Sequence, residues 1–131
     1  MDNVIVWADI PVTDLQRASK FYSEVLEMPV NPAPGMEGIA LPGSPPDPNQ
    51  PPPQTMLVAF DLYVGGTPGA AGPTVYLSSK GDFAGILSRV RKAGGEVLQE
   101  PQDMGPTVGT IAFIKDTEGN RIGIHEPPTR M

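Results

Sequence analysis

Apolar positions along the chain fall into short runs at strand spacing and two stretches at helical spacing. Val4 to Val12 is rich in Val, Ile and Trp and reads as a strand covered on at least one face. From there Leu15, Ala18, Tyr22, Val25 and Leu26 recur three and four residues apart, the signature of one helix face. Thr13 or Asp14 caps that helix, Thr13 with Gln16 fits a capping box, and the helix ends near Met28, before Pro29. Gly38 to Leu41 and Thr55 to Leu62 read as two further strands. Between them lies S-P-P-D-P-N-Q-P-P-P-Q (44–54), whose prolines cannot donate to a ladder and favour polyproline II, so it reads as a surface loop. Gly65 to Pro73 is a second connector. Thr74 to Ser78 then reads as strand, Asp82 to Ala93 as a helix closed by Gly94 and Gly95, and Glu96 to Leu98 as strand. A hairpin ends the pattern: Thr110 to Ile114 and Arg121 to His125 flank a reversal built on Asp116, Gly119 and Asn120. Ile122 and Ile124 share one face of its second strand, and Gly123 and His125 the other. The first face meets helices; the second borders open space.

The order repeats. Adding 68 maps Asp14 onto Asp82, Leu15 onto Phe83, Ala18 onto Ile86, Tyr22 onto Val90 and Val25 onto Ala93. Each helix follows one strand and precedes about three, which predicts an α+β fold of two tandem βαβββ modules, about 1–64 and 74–127. A lone module would leave one sheet face bare, so the two are expected to curl a mixed sheet around a shared cavity, helices outside, within a single domain.

Charge and composition narrow the chemistry. Nine basic against fifteen acidic residues give a net charge of −6, which disfavours nucleic acid and anionic membrane and favours a cationic ligand. Without cysteine there is no disulfide, no thiolate nucleophile and no Cys-type zinc site. The N-terminal M-D-N-V-I-V-W-A-D has no basic region and no long apolar segment, so a cytoplasmic location is expected. No phosphate loop, nucleophile elbow or His-Glu-x-x-His helix is present.

Four segments in order carry a resemblance. They are Asp-Leu-Gln-Arg-Ala-Ser-Lys-Phe-Tyr-Ser-Glu-Val-Leu (14–26), Gly-Pro-Thr-Val-Tyr-Leu (72–77), Arg-Lys-Ala-Gly-Gly-Glu-Val-Leu (91–98) and Asp-Thr-Glu-Gly-Asn-Arg-Ile-Gly-Ile-His (116–125). Together they resemble the vicinal oxygen chelate superfamily, which contains glyoxalase I, bleomycin-resistance proteins and extradiol dioxygenases, and in particular its short branch related to predicted lactoylglutathione lyases. The resemblance implies a divalent metal held by His, Glu or Gln from the inner strands of both modules, with positions left open for substrate oxygens. Carried over, one ligand position falls seven residues before Asp14, on Trp7, and the last-strand position falls on Gly123. The position opening the second module falls near Thr74, give or take one residue. In the first module's later strands Asp61 is the sole carboxylate in a strand-like run. With at least two ligands missing, the expectation is no metal and no cofactor.

Six residues are the candidates for binding a ligand. Trp7 offers an aromatic floor, and Asp9, on the same strand face, a carboxylate for a cation or a base. Thr74 and Tyr76 line the cavity or turn away from it, according to register. Gly123 leaves room, and His125, the one histidine, can donate, accept or titrate. The first functional reading is a metal-free protein of the bleomycin-resistance kind that sequesters a small cationic or aromatic molecule. The alternative is a lyase, isomerase or dioxygenase with a rearranged divalent metal site using His125 and Asp9, with Asp61 or Glu37 swung inward. The resemblance also implies a homodimer.

Overall fold

The computed structural model describes residues 8–32, 37–42 and 60–128. Ten elements follow one another: β1 (Ala8–Pro11), α1 (Leu15–Leu26), β2 (Val30–Pro32), β3 (Ile39–Pro42), β4 (Phe60–Tyr63), β5 (Tyr76–Ser78), α2 (Phe83–Lys92), β6 (Glu96–Asp103), β7 (Thr110–Lys115) and β8 (Arg121–Glu126). They form two four-stranded sheets of matching topology, β1-β4-β3-β2 and β5-β8-β7-β6. In each, the strand before the helix lies parallel to the last strand of its module, and the other pairs are antiparallel. This is the α+β arrangement of two βαβββ units that the repeat predicts.

The sheets do not merge into one. No ladder joins them among the described residues. One physical reason stands at the edge of β1, where Pro11 has no N–H for a further strand and its carbonyl accepts from Asn120 Nδ2 at 2.7 Å.

Both helices start on the aspartates that the repeat equates. Asp14 accepts from Arg17 N at 3.0 Å and Asp82 from Gly85 N at 2.9 Å, each satisfying a backbone donor that the first turn leaves free. Asp14 is therefore the cap of α1, and the Thr13–Gln16 capping box does not form; Thr13 faces Glu118 instead. α1 closes at Leu26 with Glu27 in the left-handed region at φ 51°, short of Met28. Gly94, at φ 97°, closes the second helix as expected.

Two strands differ from the sequence pattern. β2 is only three residues, too short for a period to show. β6 continues past Leu98 to Asp103, and as an edge strand with register shifts it tolerates Pro101. Residues 4–7, 55–59 and the proline-rich loop 44–54, on which further expectations fall, lie outside the described residues. No described helix is long and apolar enough to cross a membrane.

Alternation along the strands sorts the core from the open face. Ile10, Ala40 and Leu62 are buried in one sheet, as are Ala18, Tyr22 and Val25 of α1. Ala112, Ile114, Ile122 and Ile124 are buried in the other, with Ile86, Leu87 and Val90 of α2. Alternate positions, Asp9, Asp61 and Tyr63 in the first sheet and Tyr76, Gly123 and His125 in the second, point away from this core.

The 116–120 turn does more than reverse the chain. Asp116, 4% exposed, accepts from Tyr22 Oη at 2.7 Å, from the backbone N of Glu118 and Asn120 at 2.9 and 2.8 Å, and from Asn120 Nδ2 at 3.0 Å. Asn120 accepts in turn from Gly69 N at 3.0 Å. Glu118 accepts from Thr13 N, Asp14 N and Arg17 Nε at 2.9, 2.8 and 2.6 Å. Burial opposes ionisation of Glu118, but the Arg17 guanidinium and these backbone donors outweigh it and lower the carboxyl to about 2. One turn thus clasps α1 and β1 of the first module to the hairpin of the second.

Candidate functional site

Parallel pairing of β1 with β4 sets Asp9 beside Asp61 on the face turned from α1. The two carboxyls have unequal surroundings. Asp9 is exposed, whereas Asp61 is 7% exposed and its Oδ1 has no hydrogen-bond partner. Burial pushes the Asp61 carboxyl up to about 7, reinforced by Asp9, whose carboxylate accepts from the protonated Asp61 and repels its charge. The Asp61 carboxyl therefore keeps its proton through mildly acidic pH and loses it on passing neutrality.

Asp9 also lines a cleft of about 280 Å³ where β1 faces the 67–75 connector and the start of β8. Pro11, Thr67, Val75, Asn120 and Arg121 contribute to the same walls. The Arg121 guanidinium lies 3.7 Å from the centroid of the Phe113 ring and donates from Nη1 to Thr74 Oγ1 at 3.3 Å. Ion pairs among the described residues join Arg17 to Glu118, Arg89 to Glu27 and Arg91 to Glu100; Arg121 is in none of them. The cleft therefore carries an anionic and a cationic side chain that do not neutralise each other.

Tyr76 pairs with Gly123 in the parallel β5–β8 register, so the two share a face. The tyrosine ring covers the glycine: a Cβ added at Gly123 would fall 2.2 Å from Tyr76 Cδ1. Phe113 stands edge-on to the same ring at 6.0 Å. Gly123→Ala is accordingly expected to cost about 1–3 kcal/mol, the usual range for an overpacked site. Removing the ring should relieve that cost. A urea-denaturation cycle with Tyr76→Ala checks this, and additive losses would mean that the ring yields freely.

Of the six sequence-named positions, Asp9 lines the cleft and Thr74 anchors the arginine that lines it. Tyr76 and Gly123 meet on the open face, next to Phe113. His125 is two residues farther along β8, outside the cleft lining, and its Nε2 lies 2.6 Å from Val108 O. Since a carbonyl only accepts, that nitrogen carries the proton and the 105–109 turn is tied down by it. Trp7 lies outside the described residues. Arg121 is the cleft residue that the sequence pattern does not single out. Its place two residues before Gly123, and hence on the same strand face, was the available signal.

The divalent metal that the family resemblance implies does not fit this donor set. Among the described residues no three His, Cys, Asp or Glu side chains converge. Gly123 has no donor to give, and the Tyr76 ring fills the space that a longer side chain at 123 would enter. Among the described residues, the Asp9–Asp61 pair gives this face carboxylate character suited to a cation.

Comparison with known proteins locates the chain. The model of the Glyoxalase/Bleomycin resistance protein/Dioxygenase superfamily matches residues 4–124. A glyoxylase-like domain-containing protein of Didymella fabae is 30% identical over 127 residues, 92% of this chain and 91% of that one. Among solved structures, a glyoxalase/bleomycin resistance protein from Albidiferax ferrireducens superposes with a TM-score of 0.65 at 20% identity, covering 96% of this chain and all of the other. The genomically encoded fosfomycin resistance protein FosX from Listeria monocytogenes gives 0.63 at 11% identity, covering 95% and 91%.

Proposed function

This chain belongs to the glyoxalase/bleomycin resistance protein/dioxygenase superfamily, and from that premise we propose that it binds a small organic molecule in the Asp9/Arg121 cleft without a divalent metal. The observation that carries the reading is the Tyr76 ring seated on Gly123, which substitutes packed aromatic surface for a chelating side chain. The carboxyl pair supplies an anionic end for a cationic group, in keeping with a net charge of −6. The aromatic face and His125 extend the proposed contact surface along β8. A volume of about 280 Å³ suits a small metabolite, being just under the roughly 300–1,000 Å³ of pockets for drug-sized ligands.

A thermal-shift titration with organic amines and aromatic cations tests this, since any ligand of the native state raises the midpoint by mass action, about 2.7 kcal/mol at a hundredfold excess over Kd. The expected result is stabilisation by at least one such compound, largely lost in Asp9→Asn. Stabilisation by zinc or manganese alone would favour the metal-dependent lyase, isomerase or dioxygenase instead.

We further propose a homodimer. Tyr63 and Tyr76 are 39% and 49% exposed on the open faces, and a second copy would cover such rings through an isologous contact. Light scattering should return twice the chain mass of 13.9 kDa; a monomer mass at micromolar concentration would reject the assembly.

A further inference from the structure

We infer that the cleft takes an amphoteric molecule, with a cationic nitrogen held at Asp9 and a carboxylate, phosphonate or phosphate held at Arg121. The inference rests on the reading of this cleft as the ligand site and adds the ligand's charge pattern to it.

The starting point is that two opposite charges line one cleft of about 280 Å³ and form no ion pair with each other. Flexible side chains of opposite sign facing a shared space would ordinarily swing together. These two are tethered apart. Arg121 is stacked on Phe113 and bonded to Thr74, and Asp9 is held beside Asp61 by the parallel register of β1 and β4. Neither tether uses up the group's capacity. A guanidinium has five N–H donors in a planar fork matched to carboxylate or phosphate oxygens, and only one is bonded to Thr74. Asp9, exposed at the cleft, is in no ion pair among the described residues and keeps its carboxylate oxygens for a guest.

The rest of the lining fits what must lie between two such ends. Pro11, Pro73 and Val75 present apolar surface suited to a short carbon spacer. Asn120, the remaining polar wall, already has both ends of its amide engaged by Pro11 O, Asp116 and Gly69 N, and so offers little to a ligand. A purely cationic or purely anionic guest would leave one of the two protein charges facing it uncompensated. A molecule bearing both charges satisfies Asp9 and Arg121 together and enters with no net charge to desolvate.

Calorimetry on the full chain tests the inference with ω-amino acids of increasing spacer, from β-alanine through γ-aminobutyrate to ε-aminohexanoate. Matching n-alkylamines and n-alkanoates serve as the two half-probes. At one spacer length the amino acid should bind about tenfold or more tighter than either half-probe, the factor that one charge-assisted hydrogen bond supplies. Asp9→Asn should erase that advantage while leaving the alkanoate unaffected, and Arg121→Gln should erase it while leaving the alkylamine unaffected. Arg121→Lys, which keeps the charge without the fork, guards against misfolding and should retain part of the gain. Amino acids that never exceed the better half-probe would overturn the amphoteric reading, and if alkylamines still bound through Asp9 the ligand site itself would stand. Failure of every organic probe would remove both.

Discussion

Replacing Asp116 with alanine is expected to cost about 3–5 kcal/mol of folding stability, because its carboxyl ties the core tyrosine Tyr22 to the 116–120 turn. Its carboxyl accepts four hydrogen bonds at 2.7 to 3.0 Å. Truncation strands the hydroxyl of Tyr22, itself fully buried, together with the donors of Asn120, and an unsatisfied buried donor costs about 1–3 kcal/mol. Burial and the nearby Asp116 charge raise the Tyr22 hydroxyl well above its ordinary range, so at neutral pH it can only answer as a neutral donor. Urea denaturation of the variant reads the loss directly. A cost below about 1 kcal/mol would show that water replaces the carboxylate and that the clasp is incidental.

Asp61→Asn should do the opposite, and only in one range of pH. The Asp61 carboxyl rises from 3.8 to about 7 on folding, so the native protein holds a proton that the unfolded chain has released. Its stability is then complete below about 3.8 and falls as pH rises through 7. At pH 8 the wild-type protein bears a penalty on the order of 2–4 kcal/mol, at 1.36 kcal/mol per unit of displacement, that asparagine escapes. The variant should therefore melt higher than wild type at pH 8 and show no such gain near pH 4. Glu118 imposes the acid limb, because its stabilisation is present above 4.5 and is lost as pH falls toward 2. Thermal melts across pH check both limbs. Equal melting of the two proteins at pH 8 would mean that Asp61 ionises freely.

Those two residues mark where pattern reading succeeds and where it stops. The repeat at a spacing of 68 exposed the matched caps and buried stripes because helix signals are local: Asp14 and Asp82 bond three residues ahead. The last hairpin was readable for the same reason, down to which face carries Gly123 and His125. Asp9 and Asp61 were each visible on a strand, but their adjacency depends on a parallel register set by the whole first module. The face of Tyr76 hung on a one-residue shift, which its pairing with Gly123 resolves. The 116–120 segment read as a turn, since Asp, Gly and Asn are turn formers. Its partners Tyr22, Pro11 and Gly69 stand 94, 109 and 51 positions away, beyond any local signal.

The central claim is that aromatic packing and an adjacent carboxyl pair, Asp9 and Asp61, stand on the open face in place of a chelating set. Metal analysis of the purified protein, joined to calorimetric titration with zinc, nickel, manganese and iron(II), tests it most directly. The account predicts no stoichiometric metal and no saturable binding in any of the four titrations. One equivalent of tightly held metal, released when His125 is replaced by alanine, would contradict it.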